Sequence, residues 1–411
     1  MKASTRRKIE KRHTEYVLRK VEEFNNNGKM TVAIYCDAFF PDLDGVVMVV
    51  DNLARRLKDM CNIIAFVPRH KGRTYKRDYL VVGVKSTFLK SINYSLAMPG
   101  FDNDYFRVVR HARIDVIHCH SPFFLGKAAK SLHKRKKIPL ITTFHSQYKK
   151  DIYKATKNNG LTAMVLKFIM RVFNASNEVW TMHKKSAQTI CDYGYNGKIR
   201  LVPNATDFVY PTNANERIAA LKSQHGIKDE KILLFVGRLV SQKNILFIAE
   251  SLAKLKQKGD KFKMFFVGDG PDRAKLEEKI AKLGLEGDCV LLGSITDREL
   301  VASYYLFADL ILFPSLYDVS SIIQIEGACM KTPTAFVEGS VTSCTVKHGE
   351  NGYILPNNVE AYANAVHDII NDEAGLKAVG ENARRDLYVT WDEVVENTFN
   401  AYKEIIEKQH N

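Results

Sequence analysis

KILLFVGRLVSQKN (231–244) places an apolar run, typical of a buried strand, directly before a polar loop with two cations. FKMFFVGDG (262–270) is a second apolar run that ends in a glycine turn, and the helical pattern PDRAKLEEKIAKLG (271–284) follows it. Pro271 is expected in the first turn of that helix, where its missing N–H costs little. Short strands that alternate with helices predict a parallel, doubly wound sheet.

The same alternation occurs upstream, in the first half of the chain. The apolar runs TVAIYCD (31–37), NIIAFV (62–67), DVIHCH (115–120) and IPLITTFH (138–145) are separated by helical or polar stretches. The sequence therefore predicts an α/β protein with two Rossmann-like parallel-sheet domains.

This pattern divides the chain into four segments. We expect a basic N-terminal helix over 1–28 and a first Rossmann-like domain over 29–205. A second Rossmann-like domain is expected over 206–385, with the polar stretch 204–230 as the linker. Residues 386–411 are expected to form a C-terminal helix that packs back on the first domain.

Size and composition exclude several classes of protein. With 411 residues, 45% hydrophobic and 26% charged, the chain suits two globular domains. No stretch approaches the ~20 apolar residues of a membrane span, and the charged start lacks the apolar segment of a signal peptide. Seven cysteines without a CxxC spacing argue against a disulfide framework or a structural zinc site. We therefore expect a cytoplasmic protein.

Charge is unevenly distributed along the chain, whose formal net charge is +15. Residues 1–200 hold 38 Lys and Arg against 16 Asp and Glu, whereas residues 201–411 hold 23 against 30. A basic half of this kind suits an anionic membrane, a polyanionic substrate or nucleic acid. Nucleic acid is disfavoured, because no RNP, KH, zinc or helix-turn-helix signature occurs.

Two loops contain candidate ligands for phosphate. Arg238 and Lys243 follow the strand that opens the second half, at the edge where doubly wound folds bind ligands. A forked guanidinium and an ammonium point charge suit a diphosphate, although a solvated basic loop is the alternative. Gly45 lies where an earlier loop turns into a helix and can bring backbone N–H groups close to an anion.

A second cluster of candidates lies in FPSLYDVSSIIQIEGACMKTP (313–333). Asp318 lies next to the N-terminus of a short predicted helix, which Ser320 and Ser321 are suited to cap, and Glu326 lies about two turns along that helix. Carboxylates suit the hydroxyls of sugar and ribose, and a helix N-terminus suits phosphate. The alternative is a capping acid and an unrelated helix acid.

Histidines end two predicted strands of the first half. His120 ends DVIHCH at the ligand-binding edge, which makes it a candidate active-site residue rather than a packed one. His118 is expected to point to the opposite face and to be structural. His145 ends ITTFH and is a second candidate.

Taken in order, these motifs resemble those of the family 4 glycosyltransferases of the GT-B fold. The matching segments are DAFFPDLDGVVMVVDNLARRL, HCHSPFFLGKAA, TTFHSQY, VPNATD, LLFVGRLVSQKN, FFVGDGPDRAKLE, FADLILFPSLYDVSSIIQIEGACMKTP and NGYILP. The resemblance implies two Rossmann-like domains that face each other across a cleft and transfer a sugar from a nucleotide-sugar donor.

The resemblance also implies roles for the donor loops. Gly45 would offer a backbone amide to the donor phosphate, and Arg238 and Lys243 would neutralise the diphosphate as it leaves. Gly268 and Gly270 would shape the floor under the nucleotide.

Glu326 matches the second acid of the family's E-x7-E motif, which holds the ribose, and Asp318 falls at the first acid, which contacts the sugar. Ser320 and Ser321 would bind the donor beside them, and His120 matches the active-site His near sugar and acceptor. Asp318 is one methylene shorter than the usual Glu, so altered sugar choice or an inactive homologue are alternatives.

The family is metal-independent and retains anomeric configuration, so the resemblance implies no metal and no cofactor. Preorganised cations and N–H groups stabilise the charge that develops on a leaving diphosphate. No protein nucleophile is evident, so we expect a front-face displacement in which the leaving phosphate helps to deprotonate the acceptor. The triplets Asp42-Leu-Asp44 and Asp102-Asn-Asp104 resemble metal-binding DxD motifs, but neither follows a convincing strand.

The acceptor, by resemblance, binds in the basic first half. KSLHKRKKIP (130–139) is densely cationic, and LTAMVLKFIMRVFN (161–174) is apolar apart from a narrow basic stripe. Both suit an anionic membrane surface, although a helix this apolar is more often core.

STFLKSINYSLAMP (86–99) and TTFHSQYKKDIYK (142–154) resemble glycolipid-forming members that glucosylate diacylglycerol, which places His145 and Tyr148 on the acceptor side. We therefore expect a hexose to pass from a UDP-glucose-type donor to a membrane lipid or cell-envelope glycan, at the cytoplasmic face of the membrane. The alternatives are a transferase for a polyanionic polymer such as teichoic acid, a UDP-sugar epimerase and a non-catalytic sugar-nucleotide-binding homologue.

Overall fold

The computed structural model describes residues 3–41, 45–70, 75–89, 94–316, 318 and 322–410. The chain forms two compact units, of which the first contains residues 1–203 together with 391–411 and the second contains residues 204–390. The boundary lies two residues before the expected one, and the C-terminal tail belongs to the first unit.

Strands and helices are numbered in chain order. The strands are β1 Thr31–Tyr35, β2 Asn62–Pro68, β3 Leu80–Val84, β4 Ser86–Leu89, β5 Tyr94–Ala97, β6 Val116–Cys119, β7 Leu140–Thr143, β8 Glu178–Thr181, β9 Ile199–Leu201, β10 Lys231–Val236, β11 Phe262–Val267, β12 Cys289–Gly293, β13 Leu310–Leu312, β14 Thr334–Val337 and β15 Tyr353–Leu355. The helices are α1 Ala3–Asn26, α2 Gly45–Leu57, α3 Asn103–His111, α4 Phe124–Lys136, α5 Tyr148–Thr156, α6 Asn159–Phe173, α7 Lys184–Asp192, α8 Ala214–His225, α9 Ile245–Gln257, α10 Arg273–Lys282, α11 Arg298–Phe307, α12 Ile322–Cys329, α13 Val359–Asn371, α14 Glu373–Leu387 and α15 Trp391–His410.

The first unit is built on a parallel sheet that, within the described residues, has seven strands in the order β3-β2-β1-β6-β7-β8-β9. Strands β1 and β2 are buried along their whole length, as expected for a sheet covered on both faces. The chain runs outward from β1 to β3 and resumes on the other side of β1 at β6. The carboxyl ends of β1 and β6 therefore flank a topological switch point, where such folds bind ligands.

The second unit repeats this plan with six described strands in the order β12-β11-β10-β13-β14-β15, again parallel. Its switch point lies between β10 and β13. A core of aliphatic and aromatic side chains from β10, β11 and α9, including Phe235, Phe266 and Leu252, fixes the helices on the sheet. The two sheets confirm the predicted α/β class with two Rossmann-like domains.

The C-terminal helix α15 contacts α2 of the first unit. Its apolar face buries Val394, Tyr402 and Ile405. The rings of Tyr402 and Trp180, the latter on β8, stack with centroids 5.6 Å apart. Helix α15 thus places the Tyr402 ring against the middle of the first sheet.

Two local expectations were wrong. The polar stretch 204–230 is not a plain linker, since it contains α8, whose only buried residue is Leu221. A helix with so narrow an apolar stripe has the composition of a loop. Pro271 lies outside α10, which begins at Arg273 after Asp272 at the N-cap position.

Candidate active site

Lys243 and Asp318 form an ion pair at the switch point of the second sheet. Lys243 ends the short turn that follows β10, and Asp318 follows the neighbouring strand β13. Lys243 Nζ lies 3.0 and 3.1 Å from the two carboxylate oxygens of Asp318. The side chains are 19% and 22% exposed, so the pair is accessible without being fully solvated. A predicted cation and a predicted acid are thus brought together.

Neighbouring groups hold this pair in place. Ser315 Oγ donates to Asp318 Oδ2 at 2.6 Å. Asn244 adopts the left-handed conformation, with φ of 55°, and its Nδ2 donates to Pro314 O at 2.8 Å. Lys243 Nζ also lies 4.7 Å from the ring centroid of Phe313, within cation–π range. The loops after β10 and β13 are therefore tied together.

Arg238 lies on the same loop as Lys243 but is exposed. Within the part of the chain that the structure describes, no hydrogen bond or ion pair holds its guanidinium. The preceding Gly237 has a φ of 148°, and a Cβ there would lie 3.4 Å from Lys243 Cδ. That distance is an ordinary van der Waals contact, so the positive φ and not the lysine stem favours glycine at this position. The arginine remains available to a ligand.

Gly268 and Gly270 allow the loop after β11 to approach the loop after β10. A Cβ on Gly268 would lie 2.0 Å from Gly237 O, and one on Gly270 would lie 2.3 Å from Leu239 O. No side chain fits at either distance, so both glycines are required by close backbone packing. Whether this packed floor contacts a nucleotide stays a prediction.

Glu326 is buried on α12, and both of its carboxylate oxygens have partners. Arg298 donates to Oε1 at 2.8 Å, and the Tyr305 hydroxyl donates to Oε2 at 2.7 Å. Arg298 also bonds Asp207 at 2.7 Å and lies 4.1 Å from the ring centroid of Phe208. Burial raises the pKa of Glu326, and Arg298 and Tyr305 oppose that rise. This network was not predicted from the sequence.

The remaining predicted donor ligands, Gly45, Ser320 and Ser321, lie next to or outside the described residues. Gly45 is the exposed first residue of α2, and a Cβ there would meet nothing within 4 Å. The position is thus open to a ligand, but space alone does not require glycine. Ser320 and Ser321 lie outside the described residues, next to the start of α12.

His120 and His145 lie together at the carboxyl edge of the first sheet. His120 Nδ1 is 3.0 Å from His145 Nε2, and the rings stack with centroids 5.3 Å apart. His120 Nε2 is buried and has no hydrogen-bond partner within the described residues. Burial, with two neighbouring imidazoles, lowers the pKa of His120 far below its usual value, and burial lowers the pKa of His145 to about 4. Both rings are therefore neutral near pH 7.

His118 lies on the same side of the sheet as His120, and the expectation of opposite faces was wrong. Their ring centroids are only 4.0 Å apart, since residues two apart along a strand share a face. His118 Nδ1 lies 2.6 Å from the Tyr402 hydroxyl, and its Nε2 lies 2.7 Å from Thr143 Oγ1. Burial lowers the pKa of His118 to about 3. Its ring is held by partners on both nitrogens, so its role is structural, as expected.

Asp37 is a buried acid at this switch point that the sequence had not singled out. It follows β1, and its Oδ1 accepts from the backbone N–H of Leu125 at 2.9 Å, near the start of α4. Its Oδ2 is buried without a hydrogen-bond partner among the described residues. Burial raises the pKa of Asp37 to about 7, although N–H groups of the α4 N-terminus lower it.

Tyr148, predicted on the acceptor side, lies within the core instead. Its ring is only 6% exposed and packs against Phe123, Phe144 and Phe173. Burial raises its pKa well above the usual value, as expected for a hydroxyl removed from water. The structure therefore gives Tyr148 a packing role.

Of the two DxD-like triplets, only the second is described. Asp102 caps α3, and its Oδ1 accepts from the backbone N–H groups of Asp104 and Tyr105 at 2.9 and 3.1 Å. This geometry is that of a helix cap. Across the described ranges, no group of three or more His, Cys, Asp and Glu side chains is arranged to hold a metal ion.

Within the described residues, no helix combines the length with the apolar character that crossing a bilayer requires.

Known protein families match both units. The Glycosyltransferase Family 4 description matches residues 43–209, and Glycosyl transferases group 1 matches residues 218–386. The alpha-monoglucosyldiacylglycerol synthase of Acholeplasma laidlawii is 24% identical over 86% of this chain and 92% of its own length. The synthase of the same name from Streptococcus pneumoniae is 25% identical over 74% of this chain and 70% of its own length.

Solved structures agree on the fold. The crystal structure of Anabaena Alr3699/HepE in complex with UDP superposes with a TM-score of 0.73 at 15% identity, covering 91% of this chain and all of that one. Two doubly wound parallel sheets and the two family matches together identify a glycosyltransferase of the GT-B fold. The chain belongs to glycosyltransferase family 4 and is related to glycolipid-forming enzymes.

Proposed function

We propose that this glycosyltransferase moves a hexose from a UDP-glucose-type donor to a lipid at the cytoplasmic face of the membrane, with retention and without a metal. The observation that carries the proposal is the Lys243–Asp318 pair beside the exposed Arg238, at the switch point of the second sheet. This edge of a doubly wound sheet is where ligands bind, and its two cations suit a diphosphate.

Arg238 and Lys243 stabilise the negative charge of the leaving diphosphate, a role that a metal ion has in other enzymes. When the bond between C1 of the sugar and the phosphate oxygen breaks, negative charge accumulates on the leaving diphosphate. Asp318 already binds Lys243, and Pro314 O already accepts from Asn244. The loop therefore needs little reorganisation when negative charge develops on the diphosphate. Arg238 supplies a second, forked set of donors.

The acids recognise hydroxyl groups. Diphosphate competes with Asp318 for Lys243 Nζ, which frees the carboxylate oxygens of Asp318 to accept hydrogen bonds from the sugar. Glu326 stays ordered through Arg298 and Tyr305 and accepts from the ribose with its remaining lone pairs.

The first unit supplies neutral groups. His120 Nε2 lacks a partner among the described residues and can serve a substrate hydroxyl. The acceptor oxygen attacks C1 on the face from which the diphosphate departs, and its proton passes to a departing phosphate oxygen. A neutral imidazole orients a hydroxyl without competing for that proton.

A lipid acceptor is supported by the surface of α4 and α6. These helices contain no acidic residue but several exposed cations, including Lys127, Lys134 and Arg171. Phe124, Leu161 and Met164 are exposed apolar side chains on the same helices. Cations draw a protein to anionic lipid at about 1 kcal/mol each, and apolar side chains then enter the interface. The two relatives named as glycolipid synthases support the same acceptor class.

One alternative acceptor is also supported by a specific observation. A polyanionic envelope polymer would also match the uncompensated cations of α4 and α6, but it would leave Met164, at 62% exposed, without a role.

The decisive test is a product screen. Full-length protein is incubated with UDP-glucose, other UDP-hexoses or GDP-mannose, without divalent cations. The acceptor is a vesicle that contains diacylglycerol, teichoic acid or none, and products are identified by mass spectrometry. We expect an α-linked hexosyl lipid that forms equally in EDTA. Conversion of the donor without acceptor would instead indicate an epimerase, and glucosylation of teichoic acid alone would replace the lipid by the polymer.

A further inference from the structure

Asp318 binds the same ammonium group that the proposed function assigns to the donor diphosphate. Its two carboxylate oxygens lie 3.0 and 3.1 Å from Lys243 Nζ. A lysine ammonium has three N–H donors, so the contact with both oxygens of Asp318 engages most of them. An incoming phosphate therefore has to displace the carboxylate or share Lys243 with it.

The carboxylate of Asp318 is also held by its own loop. Ser315 Oγ donates to Asp318 Oδ2 at 2.6 Å, which keeps the carboxylate in place when Lys243 turns to a ligand. Lys243 Nζ is in turn confined by the Phe313 ring, 4.7 Å from its centroid. The two side chains are only 19% and 22% exposed, so solvent screens their charges incompletely. Asp318 therefore stays close to any anion that binds Lys243 and repels it.

Acids also follow β11 at this edge of the sheet, but they lie outside the contact with Lys243. Asp272 Oδ2 accepts from the backbone N–H and the hydroxyl of Ser241 at 2.6 and 2.8 Å. Asp269 is exposed on the same loop. Among the described residues, the ion pair of Lys243 is formed with Asp318 and not with either of these acids. Asp318 is thus the acid that can act on a phosphate through Lys243.

A sugar on the diphosphate changes the interaction with Asp318 in two ways. A terminal phosphate has a second ionisable oxygen with a pKa of about 6, so a free diphosphate carries about one more negative charge near pH 7 than a sugar-linked one. The sugar also supplies hydroxyl donors, which a carboxylate can accept. A free diphosphate therefore meets Asp318 with more repulsion and without these hydrogen bonds.

We infer that Asp318 selects a diphosphate that carries a sugar over one that does not, and thereby weakens the binding of the released nucleoside diphosphate. The inference rests on the proposed function for the place of the donor diphosphate at Lys243. It goes further than contact with the sugar, because it gives Asp318 an unfavourable contribution to the binding of the product. The same carboxylate then recognises the donor and promotes product release.

Calorimetric titration without an acceptor tests this selection. Full-length wild-type protein and Asp318→Asn are titrated with UDP, UDP-glucose and inorganic pyrophosphate. We expect Asp318→Asn to bind UDP and pyrophosphate roughly tenfold more tightly, because a like charge next to the phosphates is removed. UDP-glucose should gain less than about threefold, since the amide is a weaker acceptor for its hydroxyl groups. No gain for pyrophosphate, or an equal gain for UDP-glucose, would overturn the inference.

Further variants test whether Asp318 acts through Lys243. In protein that already carries Lys243→Gln, Asp318→Asn should change the affinity for pyrophosphate by less than about twofold, because the pair no longer exists. Asp269→Asn removes the same charge from an exposed position on the neighbouring loop and should also have a small effect. A tenfold gain in either case would mean a general electrostatic effect and would refute the selection by Asp318.

The proposed donor and this selection fail separately. If pyrophosphate binds Asp318→Asn more tightly while neither protein binds UDP or UDP-glucose, the proposed nucleotide is wrong and the effect of Asp318 on diphosphate remains. If wild-type protein transfers glucose from UDP-glucose but Asp318→Asn shows no gain for pyrophosphate, the proposed function remains and the selection is refuted. Circular dichroism melting of each variant shows whether a changed affinity reflects unfolding.

Discussion

The two switch points of this chain carry polar groups of opposite character. At the first, His118, His120 and His145 are neutral imidazoles and Asp37 is an acid whose pKa burial raises to about 7. At the second, Lys243 and Asp318 form an ion pair beside the exposed Arg238. Fixed charge suits a diphosphate, whereas neutral donors and acceptors suit hydroxyl groups. The second switch point therefore suits a phosphate ligand, and the first suits uncharged hydroxyl groups.

The largest expected effect is at Lys243. Lys243→Ala should lower kcat/KM by about 10² to 10³-fold, because it removes preorganised charge at the leaving diphosphate. Steady-state kinetics with UDP-glucose would measure this loss, and Lys256→Ala, in a surface pair with Asp288, is the charge-matched control. An activity within twofold of wild type would place the diphosphate elsewhere.

The Lys243–Asp318 ion pair also shows which features of the site the sequence could predict. The strand-and-loop pattern predicted both residues as ligands, but their contact joins positions 75 apart and depends on β10 lying next to β13. The partners of Glu326 were missed for a similar reason, since Arg298 and Tyr305 lie on α11 and nothing local marks them as its partners.

The first unit contains one arrangement that the sequence could have predicted and one contact that it could not. The shared face of His118 and His120 follows from their spacing alone and could have been predicted. The contact between His118 and Tyr402 could not, because it spans 284 positions and depends on how α15 docks. Tyr148 shows a third limit of prediction from sequence. A single aromatic residue after a strand is compatible with a buried core position and with a ligand-binding position.

The neutral histidines predict that stability falls in acid. Their pKa values are lowered in the folded state, so the unfolded chain binds more protons below about pH 6.5 and stability declines as pH falls from there. The raised pKa of Asp37 acts in the opposite direction, because the folded chain keeps a proton that the unfolded chain releases between about pH 4 and 7. The three histidines outweigh Asp37, so the net effect of these four groups is a loss of stability as the pH falls below about 6.5.

Thermal melting at pH 7 and pH 5 would measure this loss. Asp37→Asn removes the opposing contribution and should steepen the decline, while His111→Gln, at an exposed position, should not alter it. A melting temperature that rises in acid would contradict the neutral state of the histidines.

Arg238 is expected to matter less than Lys243. Arg238→Ala should lower kcat/KM by roughly tenfold to a hundredfold, mainly through a higher KM for the donor, since nothing within the described residues holds the guanidinium before the donor arrives. Arg238→Lys should restore part of the loss, because it keeps charge without the fork. Arg385→Ala, at an exposed surface pair, is the matched control, and equal kinetics for both alanine variants would remove Arg238 from the site.

The smallest expected effect tests whether the C-terminal helix positions the histidines. Tyr402→Phe removes the hydroxyl that lies 2.6 Å from His118 Nδ1, and one lost hydrogen bond costs about 1 kcal/mol of stability. We expect kcat to fall a few-fold with the donor KM unchanged, because the ring centroids of His118 and His120 are 4.0 Å apart and the proposed phosphate ligands belong to the second unit. Tyr362→Phe is the matched control, since the Tyr362 hydroxyl is also buried but has no partner within the described residues. Its removal should be neutral, and ¹⁵N spectra of the imidazoles should change only in Tyr402→Phe. Unchanged spectra in both variants would mean that α15 packs on the first sheet without setting the tautomer of His118.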